Sequence, residues 1–283
     1  MHKLILPDVN SNDLYELCAG RRKNKDLRTR LSSAAATVEA ATAQYEALAG
    51  TMELYRFSAP ALPATAATGA EIAKLYDDVL VPRSSKARWA YDEIMLSAKY
   101  GRCPYCGHFP VATLDHYLPK KSHPLLAITV SNLLPSCGRC NYAKLDESPA
   151  EEGTQTLHPY FDDFDDATWL SATVILGAGV SLSYQVADVQ EWPPIKIERV
   201  RHHFEIFQLG KLYATQAAEE LSLIKHRLEK LFDQGGIAAI QAHLGEEAET
   251  RERAARNSWQ TAMYRAIAES GDFISRGFEH IGT

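Results

Sequence analysis

The chain has 283 residues, 46% of them hydrophobic, and a formal net charge of -6, which supplies core material for one large domain or two smaller ones and argues against coating nucleic acid by bulk electrostatics alone. No apolar run reaches the roughly 18 residues needed to cross a bilayer. The opening MHKLILPDVN lacks the basic and apolar regions of a secretory signal, so no membrane partner is expected and the cytoplasm is the default location.

The N-terminal third reads as helical. A basic cluster, Arg21, Arg22, Lys23, Lys25, Arg28 and Arg30, fits a solvated helix face and a phosphate contact equally well. Leu31, Ala34, Val38, Ala41, Tyr45, Leu48 and Met52 follow at helical spacing and make one apolar stripe, which predicts a helix over 31–52 that Gly50 interrupts near its end. The Pro/Ala/Thr-rich residues 59–69 read as a linker, followed by helices over about 70–80 and 88–99, the second leading into Cys103. Beyond the cysteine-rich middle the pattern alternates. Val180, Leu182, Tyr184 and Val186 share one face, and with the apolar run 173–176 and the Gly177-Ala178-Gly179 turn they predict a β-hairpin. Helical spacing returns from Phe204, with Gly235-Gly236 as a stop and a last helix over about 248–269. The expected class is α+β, mostly helical, with a helical region 1–95, a central module 96–160, and a hairpin plus helices over 161–283.

Five cysteines are present, and four form two C-x-x-C pairs, Cys103/Cys106 and Cys137/Cys140, with 30 residues between Cys106 and Cys137. Residues three apart make strained disulfides, whereas thiolates at this spacing suit a metal knuckle, with Gly107 and Gly138 supplying backbone freedom for the tight turns. Four sulfurs closing one tetrahedron leave no open position, so the expected ion is a structural zinc. Cys18 stands alone and reads as a small buried hydrophobe.

Within the clamped segment lie Asp115-His116, an acid beside an imidazole, and Asn132. Asn141 follows the last cysteine and shares a helical face with Lys144, three residues on. The segment 103–144 carries Lys120, Lys121, Arg139 and Lys144 against Asp115 alone, while 146–166 holds eight acids and no Lys or Arg. The would-be site is thus locally basic inside an acidic chain.

The order Asp-His, Asn-Leu and Cys-x-x-Cys-Asn-x-x-Lys inside a cysteine bracket resembles the HNH endonucleases with their zinc-bracketed ββα-metal fold, with Asn141 where many members carry the final His. The likeness covers about 45 residues closely. Flanking phrases, Leu114-Asp-His-Tyr-Leu-Pro-Lys and His158-Pro-Tyr-Phe-Asp, are similar to bacterial anti-phage HNH proteins such as the nuclease subunit of Septu-type systems. The resemblance implies His116 as general base, with a pKa near about 6.5 suited to cellular pH. It implies Asp115 and Asn141 as ligands of one Mg²⁺ or Mn²⁺, and Asn132 as the group that fixes the His116 loop. It implies Lys144, with Lys120, Lys121 and Arg139, as phosphate contacts, and double-stranded DNA as substrate, cut with low sequence specificity. An ATPase or sensor partner, or a homodimer, is a further implication. A zinc-ribbon binding module that cuts nothing would account for the cysteines but not for Asp115, His116, Asn132 and Asn141.

Overall fold

The computed structural model describes residues 3–144, 146 and 148–282. They form a mostly helical α+β protein with two separate two-stranded antiparallel sheets, divided into two compact units, 1–163 and 164–283. The helices of 1–95 and the cysteine-rich segment therefore share one unit. The division comes at 163/164.

In the first unit, α1 (Ser11–Gly20) and α2 (Lys25–Gly50) start on Asn10 and Asn24, whose side chains accept backbone N–H groups of the first turn. The buried face of α2 is Leu31, Ala34, Val38, Ala41 and Tyr45, four of the five completely sealed from solvent. Met52, expected to extend this stripe, is instead 45% exposed at φ 62, because the helix ends at Gly50 and the chain turns left-handed past it. Thr68 and Glu71 form a reciprocal cap on α3 (Gly69–Leu75), which passes into a single wide π-turn, Tyr76–Leu80. Helix α4 (Arg88–Leu96) stops short of the expected Lys99; Tyr100 and Gly101, at φ 56 and 65, redirect the chain into the cysteine segment.

That segment folds as strand β1 (Thr113–His116), a long loop, strand β2 (Leu133–Ser136) and helix α5 (Gly138–Lys144), with β1 and β2 antiparallel and His116 opposite Leu133. The second half of the loop between the strands is buried: Leu125, Leu126, Ala127 and Ile128 are 3% exposed or less. A buried loop must find partners for its backbone. Ser11 accepts the Val130 N–H, and the Thr42 and Thr129 hydroxyls lie 2.9 Å apart, so α1 and α2 sit directly on the segment that carries β1 and β2.

In the second unit, β3 (Leu170–Leu176) and β4 (Val180–Val186) pair as the expected hairpin, with Leu182 and Tyr184 buried. Helix α6 (Pro194–Ile206) precedes α7 (Leu209–Ala254), which covers β4, and α8 (Trp259–Glu269) covers β3. Helix α7 kinks at Gly236, where φ 63 and ψ -153 interrupt the helix at the expected stop without ending it. A short α9 (Gly271–Ser275) follows. The last helix, expected over about 248–269, is two helices, because residues 255–258 break the ladder to aim Asn257 at the hairpin. Its Oδ1 accepts from the N–H groups of Trp169 and Leu170 (3.0 and 3.2 Å), and its Nδ2 donates to the Ala167 carbonyl at 2.9 Å. No described helix is long and apolar enough to cross a membrane.

Candidate metal-dependent active site

The sulfurs of Cys103, Cys106, Cys137 and Cys140 all lie within 4.8 Å of one another and all four residues are buried. Cys106 and Cys137 are 4.0 Å apart, close to the roughly 3.8 Å that tetrahedral ligation at about 2.3 Å imposes. The residues fit a metal ion. Backbone geometry suits it as well: the Cys140 N–H points at the Cys137 sulfur at 3.4 Å, and Gly107 adopts φ 65 while its N–H closes back on the Cys103 carbonyl at 2.7 Å. Gly107 thus meets the need for a left-handed residue. Gly138 does not, because it opens α5 without a positive φ. Cys18 is fully buried away from this cluster, and burial pushes its thiol up to about 12, as suits an inert core residue.

Beside the cluster, a cleft of about 240 Å³ is lined by Tyr76, Thr113, Leu114, Asp115, His116, Pro119, Lys120, Asn141 and Asp146. Asp115 and His116 reach it from the end of β1 and Asn141 from the first turns of α5. Strand pairing and the sulfur clamp fix these two elements against each other. The cleft therefore gathers a carboxylate, an imidazole and an amide.

Each of the two buried titratable groups has identifiable partners. Tyr105 donates its hydroxyl to Asp115 Oδ2 at 2.9 Å, and Lys144 Nζ stands 3.4 Å from the same oxygen. Burial raises the Asp115 carboxyl above its usual range, against the lowering pull of Lys144 and Tyr105. His116 Nε2 lies 3.1 Å from the Ala127 carbonyl. A carbonyl only accepts, so Nε2 carries the proton and Nδ1 is left as the ring's proton acceptor. The Tyr76 ring stands edge-on to the imidazole, centroids 4.5 Å apart, and donates its hydroxyl to the Leu114 carbonyl at 3.1 Å. Burial, helped by the charges of Lys120 and Lys144 and opposed by the Ala127 carbonyl, lowers the His116 pKa to about 3. The ring is therefore kept neutral, and well below the value near 6.5 expected of it.

Asn132 is completely buried and does not line the cleft. Its Oδ1 accepts the Leu118 N–H at 2.7 Å, and its Nδ2 donates to the Leu118 and Leu126 carbonyls at 3.0 and 3.2 Å. It ties the two ends of the loop that carries Ala127, the residue that orients His116.

The expected phosphate contacts need correction. Lys144 is 3% exposed and donates to the His116 carbonyl at 2.7 Å; with its ammonium turned onto β1 and Asp115, it is a buried strut and not a surface cation. Arg139 is half-buried and does not line the cleft. Lys121 is exposed beside Asp146 at 3.3 Å. Lys120 does line the cleft, with Nζ bonded to Asp77 and 4.6 Å from the Tyr76 ring centroid. Tyr76, Tyr105 and Asp146 carry no motif that would have picked them out; only their contacts reveal them. His158 is a structural residue: its Nδ1 accepts the Tyr160 N–H, and its Nε2 meets the Tyr45 hydroxyl at 2.8 Å.

No family profile and no solved structure matches the chain. It is similar to Protein ea31 of Escherichia phage lambda, at 26% identity over 296 residues that cover 97% of this chain and 99% of that protein.

Proposed function

We propose that the chain is a metal-dependent nuclease of the HNH kind, hydrolysing phosphodiester bonds in duplex DNA, with a structural zinc on the four cysteines and one Mg²⁺ or Mn²⁺ in the cleft. The observation that carries this reading is the convergence of Asp115, His116 and Asn141 on one cleft beside a four-sulfur cluster. The zinc would be held by Cys103, Cys106, Cys137 and Cys140, clamping both ends of the segment that bears the chemistry. Asp115 and Asn141 would hold the second cation, which supplies charge neutralisation at the scissile phosphate.

The chain's own groups do the rest. His116, neutral and with Nε2–H committed to Ala127, takes the proton of the attacking water on Nδ1. Its depressed pKa lowers the driving force for that transfer but keeps the ring in the receptive form at every physiological pH. Asn132 and Ala127 orient the imidazole, while Tyr105 and Lys144 fix the Asp115 carboxylate from behind. Lys120, at the mouth, contacts a neighbouring phosphate by leaving Asp77. The expected products carry 5′-phosphate and 3′-hydroxyl ends.

Incubation of plasmid DNA with the purified chain and Mg²⁺ or Mn²⁺ tests the reading. His116→Ala is expected to cut at least about 100-fold more slowly than wild type, the usual scale of a lost general base. Equal cutting by both proteins would remove His116 from the chemistry.

A further inference from the structure

The basic cluster near the N-terminus, ambiguous in sequence, becomes specific in the fold. Arg21, Arg22 and Lys23 occupy the turn between α1 and α2, and Lys86 approaches from the loop before α4. With Asp78 and Val79 they line an open hollow of about 630 Å³. Four cations face this space and Asp78 is the one carboxylate lining it. Arg22 is paired with Asp78 at 2.6 Å. Arg21, Lys23 and Lys86 are exposed and have no ion-pair partner among the described residues. In a chain of net charge -6, three solvent-facing cations around one hollow make a local positive field that the total hides.

The position of this hollow is informative. The π-turn Tyr76–Leu80 forms the wall between it and the cleft that holds Asp115 and His116: Tyr76 lines the cleft and Asp77 pairs with the cleft residue Lys120, while Asp78 and Val79 line the basic hollow. A duplex carries one phosphate charge per roughly 1.7 Å of axis, both strands counted. A duplex engaged at the cleft carries further phosphates along its axis, and Arg21, Lys23 and Lys86 are the exposed cations on the other side of this turn.

From this we infer that the Arg21/Lys23/Lys86 hollow is the seat of the phosphate backbone flanking the scissile bond, a docking site for duplex DNA that supplies affinity in place of the buried Lys144. It deepens the nuclease reading and rests on it for the identity of the polymer. Backbone contacts of this kind carry no sequence information, so the site predicts binding that is strongly salt-dependent and indifferent to sequence.

The test compares three full-length proteins: wild type, Arg21→Gln/Lys23→Gln/Lys86→Gln, and a control with the same charge change on exposed positions of the other unit, Lys211→Gln/Arg227→Gln/Lys230→Gln. Binding to a labelled DNA duplex several helical turns long is followed by fluorescence anisotropy across a salt series. Hydrolysis of bis(p-nitrophenyl) phosphate with Mn²⁺ is measured in parallel, because that substrate is too small to reach the hollow. The hollow variant should bind at least about tenfold more weakly, and its log Kd against log salt slope should fall by about 2–3, the loss of three phosphate neutralisations. The control and the small-substrate rate should stay at wild-type values. Unchanged binding by the hollow variant, or an equal loss in the control, overturns the inference. Loss of binding in the hollow variant together with no hydrolysis by any of the three proteins would uphold the docking site while rejecting the nuclease.

Discussion

Two antiparallel strand pairs occur in this chain, and they are held by different means. The β3–β4 hairpin has seven-residue strands with buried and exposed positions alternating along β4, and it rests on α7 and α8 like any half-buried sheet. The β1–β2 pair has four-residue strands, all four β2 residues buried, joined by a loop whose second half is itself buried. A two-stranded pair is at best marginally stable by itself and needs other groups to hold it. A sulfur cluster, a buried Lys144–Asp115 pair and the Asn132 bonds take over that task. The contrast teaches that polar and ionic groups inside the first unit serve geometry: they place Asp115, His116 and Asn141 at one cleft, where an apolar core would place nothing chemically useful.

Metal removal should separate the two pairs most sharply. Treatment with a strong chelator, or Cys106→Ser, is expected to cost the first unit on the order of 10 kcal/mol of metal-linked folding energy. In hydrogen exchange, β1 and β2 should lose protection while β3 and β4 keep theirs. Survival of both pairs without metal would show that the sulfurs are dispensable and the contrast unfounded.

A smaller loss is expected from Lys144→Met, which leaves a buried carboxylate without its cation; breaking such pairs costs about 3–5 kcal/mol. The double variant Lys144→Met/Asp115→Asn should unfold at higher denaturant than the single one, because it no longer buries an unmatched charge. A Lys144→Met loss under about 1 kcal/mol would put the pair on the footing of a surface salt bridge.

The least effect is expected in the second unit from Asn257→Ala, which strips the acceptor from the Trp169 and Leu170 N–H groups at the start of β3. About 1–3 kcal/mol should be lost, with faster amide exchange at 169 and 170 and none of it transmitted to β1. If β1 amides also speed up, the two pairs are not independently held.

Much of this was legible along the chain. The stripe of α2, the 170–186 hairpin and the two cysteine pairs are encoded by residues within a few positions of one another, and the structure returns each of them. The order Asp115, His116, Asn141 suggested a common site, and these three do line one cleft. Errors came where a side chain answers to a distant partner. The resemblance and the helical face shared with Asn141 make Lys144 a phosphate contact, yet it is drawn inward by a strand 28 residues away. The break at 255–258 interrupts good helical spacing because Asn257 is bonded to a strand some 90 residues upstream. Met52 kept the period of α2 after the helix had ended.

By itself, then, the sequence determined the main stripe of α2, the β3–β4 hairpin, where four thiols can meet, and which side chains are equipped for acid, base or ligand chemistry, since all of these depend on residue type and short-range spacing. The tertiary structure alone decided which cations face solvent, which tyrosines support Asp115 and His116, how far burial lowers the His116 pKa, and that Arg21, Lys23 and Lys86 gather around one hollow. Burial and charge proximity are properties of segments brought together from far along the chain, and local patterning holds no record of them.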